Sequence, residues 1–369
     1  MPGNAFGQRF RVTSFGESHG GAVGVVVDGC PSGHRFPHDR IAAQLARRRP
    51  GQPLTSQRDE ADAIEVLSGI DPESGCTLGT PIAMIVRNTD AKSGDYDAMR
   101  DVYRPSHADF TYDARFGLRF VAGGGRASAR ETVARVAAGA LAEDLLERWH
   151  QIEIVAWVAS VHDVLATIDP ATVMRAHVDA HAVRCPDPSA AAAMTAVIED
   201  ARKHGDTVGG IVRAVVRGVP AGLGEPVFDK LTADLAHAMM SLPASRGFEI
   251  GEGFAATRMR GIAHNDAFVP APERTPPVAT RTNHSGGIQG GISNGETIHF
   301  AVAFKPVATV FVPQDTVTRD GQATVVRARG RHDPCVLPRA VPMVEAMAAI
   351  VLADHVLRRF GARAEELDR

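Results

Sequence analysis

The sequence has no long apolar run, little net charge and few cysteines, and each absence closes a class of function. No window approaches the ~18 apolar residues of a membrane span, so no membrane partner is expected. The opening stretch MPGNAFGQRFRV lacks the apolar core of a signal peptide. A net charge of −3 provides no global basic field for nucleic acid. The four cysteines, Cys30, Cys76, Cys185 and Cys335, lie far apart with no C-x-x-C. That spacing fits reduced thiols in the cytoplasm better than a disulfide frame or a zinc site. No H-E-x-x-H or comparable metal triad occurs, and no Walker G-K-[ST] follows a glycine run.

What is present is a 369-residue chain, 44% apolar and 22% charged, the balance of a globular enzyme. Strands are expected at Arg9 to Phe15, Ala22 to Asp28, Ala63 to Leu67 and Ile82 to Arg87. Further strands are expected at 152–161, 208–219 and 298–304. Helices are expected at 39–48, 189–204 and 229–241, and from Pro342 to about Phe360. Ser128 and Glu131 match a capping box, with Val133, Val136, Ala140, Leu141 and Leu145 following at helical spacing. Strand pairs followed by helices, without regular βαβ alternation, point to an α+β fold. The motifs run from residue 16 to residue 339, so one domain over 1–369 is expected.

The stretch Gly16-Glu17-Ser18-His19-Gly20 fits the nucleophile elbow G-x-S-x-G. An elbow needs a helix after the turn, whereas AVGVVVDG follows here. Ser18 as a hydrolase nucleophile, His19 as the chemical group and a plain turn remain open at this level. In "YRPSHADFTYDARFGLR", Pro105 and Ser106 interrupt any helix and leave His107 on a loop beside Arg104 and Asp109. The alternative is an ordinary charged helix face. "GGGRASARET" brings three glycines and Arg126 and Arg130 to a helix start, where free N–H groups favour an anion. A glycine-rich helix entry without a ligand explains it equally well. "NHSGGIQGGISNG" is a second glycine loop or a tight hairpin. "RARGRHDPC" sets arginines before His332 and Asp333, or is a solvated charge run. Arginines beside each motif in a slightly acidic chain suit a small polyanion with phosphate or carboxylate groups.

Taken together, FGESHG with VDG, RRRPG, RPSHADFTYD with GGGRASARET, GVPAGLGEPVFD, NHSGGIQGGISNG and GRHDPC resemble the chorismate synthase family over nearly the whole chain. The resemblance implies a β-α-β sandwich with helices between antiparallel sheets, assembled as a homotetramer. It implies elimination of phosphate from 5-enolpyruvylshikimate-3-phosphate with reduced FMN. Arg48, Arg104 and Arg331 would hold the substrate with Ser18, and His19 would serve as general acid. His107 would sit near flavin N1, and Asp333 near N5 would help remove the C6 proton. Arg126, Ala127, Ser128, Pro243, Ala244, Gly290, Lys305, Pro306, Val307, Ala308, Thr309 and Arg331 would contact the flavin. The pattern departs from the family at Gln52 to Thr55, where a basic residue is missing. It departs also at Ser106, Ala127, Pro243 and within Lys305 to Thr309. The rivals are a serine hydrolase using Ser18 and a non-catalytic FMN- or anion-binding relative. No added reductase segment is visible, so reduced flavin is expected from an external reductase; whether NADPH serves this chain directly is open.

Overall fold

The computed structural model describes residues 3–56, 61–89, 99–328 and 332–360. Strands β1 (Ala5–Phe6), β2 (Arg11–Gly16), β3 (Ala22–Asp28), β4 (Glu65–Val66) and β5 (Ile82–Arg87) form an antiparallel sheet in the order β1-β2-β3-β5-β4. A second antiparallel sheet begins with β6 (Glu153–Val161), β7 (Val164–Leu165), β8 (Gly210–Arg217) and β9 (Ser245–Ile250). Two hairpins follow, β10 (Phe268–Pro270) with β11 (Val278–Thr280) and β12 (Ile288–Gln289) with β13 (Ile292–Ser293). Then β14 (Ile298–Phe304) returns between β8 and β9 to give the order β7-β6-β8-β14-β9. A last hairpin pairs β15 (Gln314–Val317) with β16 (Ala323–Val326).

The helices are α1 (His38–Arg48), α2 (Asp109–Phe116), α3 (Thr132–His150), α4 (Arg175–Asp179), α5 (Pro188–Lys203), α6 (Leu231–Met240), α7 (Gly261–His264) and α8 (Leu337–Phe360). α3 lies on β2, β3 and β5, α8 lies on β6 and β8, and the two helices pack on each other. The fold is therefore α+β, with helices layered between the sheets. At the helix contact a Cβ on Gly139 would come 2.3 Å from that of Ala346. Only a glycine lets the axes approach this closely.

Burial explains where the sequence pattern misleads. The expected stripe of α3 is buried, but so are Ala134, Ala137, Ala138 and Leu146 on its other faces, because α8 covers its back. β6 is buried along both faces from Ile154 on, since α4 and α5 cover the side away from α8. The expectation that no window suits a membrane span is corrected by α8. Residues Leu337–Arg359 contain one apolar enough by length and composition, and that window is entirely buried inside the protein. Its apolar character serves the core.

Two helix starts also move. α8 begins at Leu337, before Pro342, which sits inside it. A proline there removes the N–H that would reach the carbonyl of residue 338. The Nε of Arg184 donates to the Pro338 carbonyl at 2.8 Å instead. Ser128 caps a short 3₁₀ turn, Ala129–Glu131, through the Arg130 N–H, and α3 starts only at Thr132. Glu131 does not close a capping box; its carboxylate accepts from Arg135 and from the Ser14 hydroxyl. Finally, Asp354 on α8 accepts the N–H groups of Gln8, Arg9 and Phe10 through one oxygen, tying the β1–β2 loop to the C-terminal helix.

Candidate active site

A cavity of ≈ 540 Å³ opens beside the sandwich where its loops converge. Arg48 reaches it from the end of α1, and Arg104 and His107 from the loop before α2. Ala127 and Ser128 come from the glycine loop, Pro243 and Ala244 from the turn into β9. Lys305, Val307, Ala308 and Thr309 follow β14, and Asp333 precedes α8.

The loop before α2 builds a closed set of hydrogen bonds. Arg104 grips Asp109 with two donors, Nε at 2.8 Å and Nη2 at 2.7 Å. His107 Nδ1 lies 2.9 Å from Asp109 Oδ1. These bonds outweigh burial and hold the Asp109 carboxyl well below its usual range. For His107, burial is the main cause of a lowered pKa, partly opposed by the Asp109 bond and aided by Arg104 and Lys305. The ring is thus neutral at pH 7. Arg104 Nη2 also lies 3.0 Å from Nδ1, but it already donates to Asp109 Oδ1. With that carboxylate ionised, Nδ1–H donates to it and Nε2 is left as an acceptor.

A second cluster joins Arg48, Arg130 and Arg339. Arg48 is fully buried and donates to Asp62 at 2.9 Å, to Thr132 Oγ1 at 3.1 Å and to the Ala129 carbonyl at 2.8 Å. Burial first, then the nearby Arg339 and Arg130, push its guanidinium down to about 9. It stays charged at neutral pH. Arg339 Nη1 donates to Asp333 at 2.5 Å, and its Nε to the Arg48 carbonyl at 2.9 Å. The Ser56 N–H reaches the other Asp333 oxygen at 2.7 Å. Burial raises the Asp333 pKa, but Arg339 and Ser56 win and hold it below the ordinary value.

The GESHG turn joins β2 to β3, so it is a strand-to-strand turn and not an elbow into a helix. Ser18 Oγ is buried with no hydrogen-bond partner among the described residues. Gly123 lies against this turn: a Cβ there would come 2.3 Å from His19 Cδ2 and 2.6 Å from Ser18 Oγ. Gly124 lies over His107 in the same way, at 3.2 Å from Cε1. Both have positive φ, 64° and 77°. Glycine is needed here on two counts, backbone conformation and space. Ser18 and His19 thus pack against Gly123, which is itself part of the cavity wall.

Arg246 and Lys305 differ from the other lining cations. Neither has a carboxylate partner among the described residues. Arg246 donates to the Ser245 carbonyl at 2.7 Å and Lys305 to the Pro306 carbonyl at 3.3 Å. Burial, then the charge of Arg246, lowers the Lys305 pKa. The Lys305 N–H donates to Ala244 O at 3.0 Å, so the two expected flavin segments touch.

Some expected residues are elsewhere. Arg126 turns away to the Gly16 carbonyl, Asn4 and Ser14, and faces a neighbouring cavity of ≈ 340 Å³. Gly290 lies at the β12–β13 turn, and Pro306 is exposed beside the cavity. Arg331 lies outside the described residues. The glycine loop 283–295 folds as a hairpin. It packs on 218–231, where a Cβ on Gly224 would meet the Gly291 carbonyl at 2.1 Å.

The family profile described as chorismate synthase matches residues 10–357. The chain belongs to the chorismate synthase family. It is 60% identical over 357 residues to the chorismate synthase of Synechococcus sp. (strain JA-2-3B'a(2-13)), covering 96% of this chain and 93% of the relative. It is 54% identical over 360 residues to that of Prochlorococcus marinus (strain MIT 9211), covering 97% and 98%. A crystal structure of chorismate synthase superposes with a TM-score of 0.74 at 27% identity, covering 98% of this chain and 96% of the other. Chorismate synthases are lyases, which sets aside the serine hydrolase reading, as the GESHG turn already did. Sequence reasoning missed Asp62, Arg246 and Arg339. Asp62 and Arg246 stand in unremarkable surroundings, and Arg339 lies inside an apolar helix; only the fold brings them to Arg48, Lys305 and Asp333.

Proposed function

We propose that the chain catalyses the FMN-dependent 1,4-anti elimination of phosphate from 5-enolpyruvylshikimate-3-phosphate, giving chorismate in the shikimate pathway. The observation that carries this reading is a single cavity lined by Arg48, Arg104, His107 and Asp333, residues remote in sequence. Its volume, ≈ 540 Å³, suits a small-molecule site. Flavin mononucleotide fits the residues present. The Gly123–Gly125 turn offers side-chain-free backbone, and Arg246 with Lys305 offers positive charge that no carboxylate among the described residues quenches. Ala127, Ser128, Pro243, Ala244, Lys305, Val307, Ala308 and Thr309 would hold it. Reduced FMN, when bound, supplies electron density to the reacting ring.

The chain's own residues would do the rest. Arg48 and Arg104, fixed by their carboxylates, would bind the anionic substrate groups. His19 would give a proton to the departing phosphate, and the unpartnered Ser18 hydroxyl would contact the same ligand. Neutral His107, oriented by Asp109, would accept a proton or hydrogen bond at Nε2. Asp333 is ionised and a weak base, so it takes a proton only from a strongly acidified carbon at C6. The resemblance also supports a homotetramer, an external source of reduced flavin and a cytoplasmic setting. An anaerobic assay for chorismate with and without reduced FMN tests the reading. Product only with reduced FMN is expected; no product with it, or equal product without it, overturns the proposal.

A further inference from the structure

We propose that Asn88 is a positioning residue for the reaction: its carboxamide locks the backbone on both sides of Ser18-His19 and ties that turn to the cavity wall. Asn88 directly follows β5, and the pairing of Arg87 with Ala22 on β3 brings it beside the GESHG turn. Its backbone N–H donates to the Gly21 carbonyl at 3.2 Å. Its side-chain Nδ2 donates to the Glu17 carbonyl at 2.9 Å and to the Gly20 carbonyl at 2.7 Å. One NH2 group thus holds the two residues that flank Ser18 and His19. The neighbours fix which way the amide points, since both carbonyls need donors and Arg130 Nε, 3.0 Å from Oδ1, needs an acceptor.

The turn's own sequence gives it little rigidity. Gly16, Gly20 and Gly21 surround it, and glycine leaves a backbone many conformations. Inside the turn the Gly20 N–H reaches the Glu17 carbonyl at 3.1 Å. Gly123 packs on the Ser18 and His19 side chains from one side, and Asn88 holds the backbone that carries them. The third bond of the amide separates it from an ordinary turn anchor. Arg130 lines the cavity and is itself held by Asp62, so a single side chain fixes where His19 stands relative to the cavity wall. A group that must meet a departing phosphate loses rate steeply when it is misplaced. That task for His19 rests on the functional reading above.

Asn88→Asp keeps the size of the side chain but sets an oxygen against the two carbonyls. Under reduced FMN its kcat is expected to fall roughly 10- to 100-fold, with substrate KM and the affinity for oxidised FMN, read by fluorescence, close to wild type. A near-wild-type kcat overturns the proposal, and so does a parallel loss of flavin affinity, which marks a general loosening of the site. A double-mutant cycle isolates the route. On a His19→Ala background, Asn88→Asp should lower kcat little further, because the group it places is gone. Losses that multiply in full overturn the assignment. Asn88→Ala, which removes the donors without adding a repelling oxygen, serves with the same expected outcomes if the acidic variant does not fold. Hydrogen exchange followed by mass spectrometry reads the anchor without an assay for chorismate. Amides of residues 16–21 should exchange faster in the variant than in wild type, with β6 and β8 unchanged. Equal exchange at the turn overturns the proposal whether or not wild type makes chorismate, and faster exchange throughout the molecule counts against it as well.

Discussion

Two groups of cations share the cavity, and they are built in opposite ways. Arg48, Arg104, Arg130 and Arg339 are buried and each bonds a carboxylate of the protein, at Asp62, Asp109 or Asp333. Arg246 and Lys305, from the β9–β14 side, bond only backbone carbonyls among the described residues. The first group is positioned before any ligand arrives, and much of its charge is already neutralised. It offers geometry, with modest salt sensitivity, since buried pairs are weakly screened. The second group keeps its charge for the ligand and offers attraction that salt will weaken.

The largest effects should come from the two groups assigned to proton transfer, one of which, Asp333, belongs to the preset side. Asp333→Asn and His19→Ala are expected to lower turnover by roughly 10²–10⁴-fold, with the fold retained, as judged by circular dichroism. Near-wild-type turnover in either variant would remove that residue from proton transfer. On the open side, Lys305→Gln and Arg246→Gln should each weaken FMN binding by about 10- to 100-fold, since a charged hydrogen bond contributes about 1.5–3 kcal/mol. Fluorescence titration at low and high salt should show the wild-type affinity falling with salt more steeply than that of the variants. Parallel slopes would erase the contrast between the two groups. Gly123→Ala probes the cavity wall. Its methyl would strike His19 and Ser18, and a loss of about 1–3 kcal/mol in stability is expected from overpacking, read by denaturant unfolding. Ser18→Ala should cost least in catalysis, about 0.5–1.5 kcal/mol for one hydrogen bond to ligand. A dead Ser18→Ala enzyme beside an active His19→Ala enzyme would reverse their roles.

At about pH 6 a pH effect is expected from His107. His107 is held neutral, with its folded pKa below the ordinary ~6.5. Below ~6.5 the unfolded chain binds a proton that the folded chain refuses, so stability falls as pH drops. One such proton gives a slope of at most about 1.4 kcal/mol per pH unit. Between about pH 5.5 and 6.5, where carboxylates with ordinary pKa near 4 are still ionised, His107→Gln should flatten that slope. An unchanged slope would mean that another group is responsible.

Local pattern was enough to locate β3, β5 and β14, because short valine- or alternation-rich runs between turns have few other solutions. It also put His107 on a loop, because Pro105 and Ser106 interrupt the helix ahead of it, and α2 indeed starts only at Asp109. It failed where tertiary packing overrides period. α3 and β6 are buried on faces the pattern leaves polar or neutral, and Pro342 is accommodated by Arg184 from outside its helix. Of the site, the motifs supplied the groups that would meet ligand. The groups that hold them were illegible for different reasons: the Asp62 partner Arg130 lies 68 residues away and leaves no trace in local spacing, while Arg339 is only six residues from Asp333 but sits inside an apolar helix where no motif marks it.

The three N–H groups gathered by Asp354 set an order of events during synthesis. The loop at Gln8 to Phe10 leaves the ribosome first, yet its anchor lies 344 to 346 residues later. At typical elongation rates that is a wait on the order of tens of seconds. Throughout it the first sheet lacks its C-terminal clasp, and its β1–β2 edge stays open to cleavage or to other chains. We therefore expect nascent chains stalled before residue 354 to be cut by protease near residues 7–10, and released chains to resist. Equal protection of both would show that the N-terminal sheet closes without its far anchor.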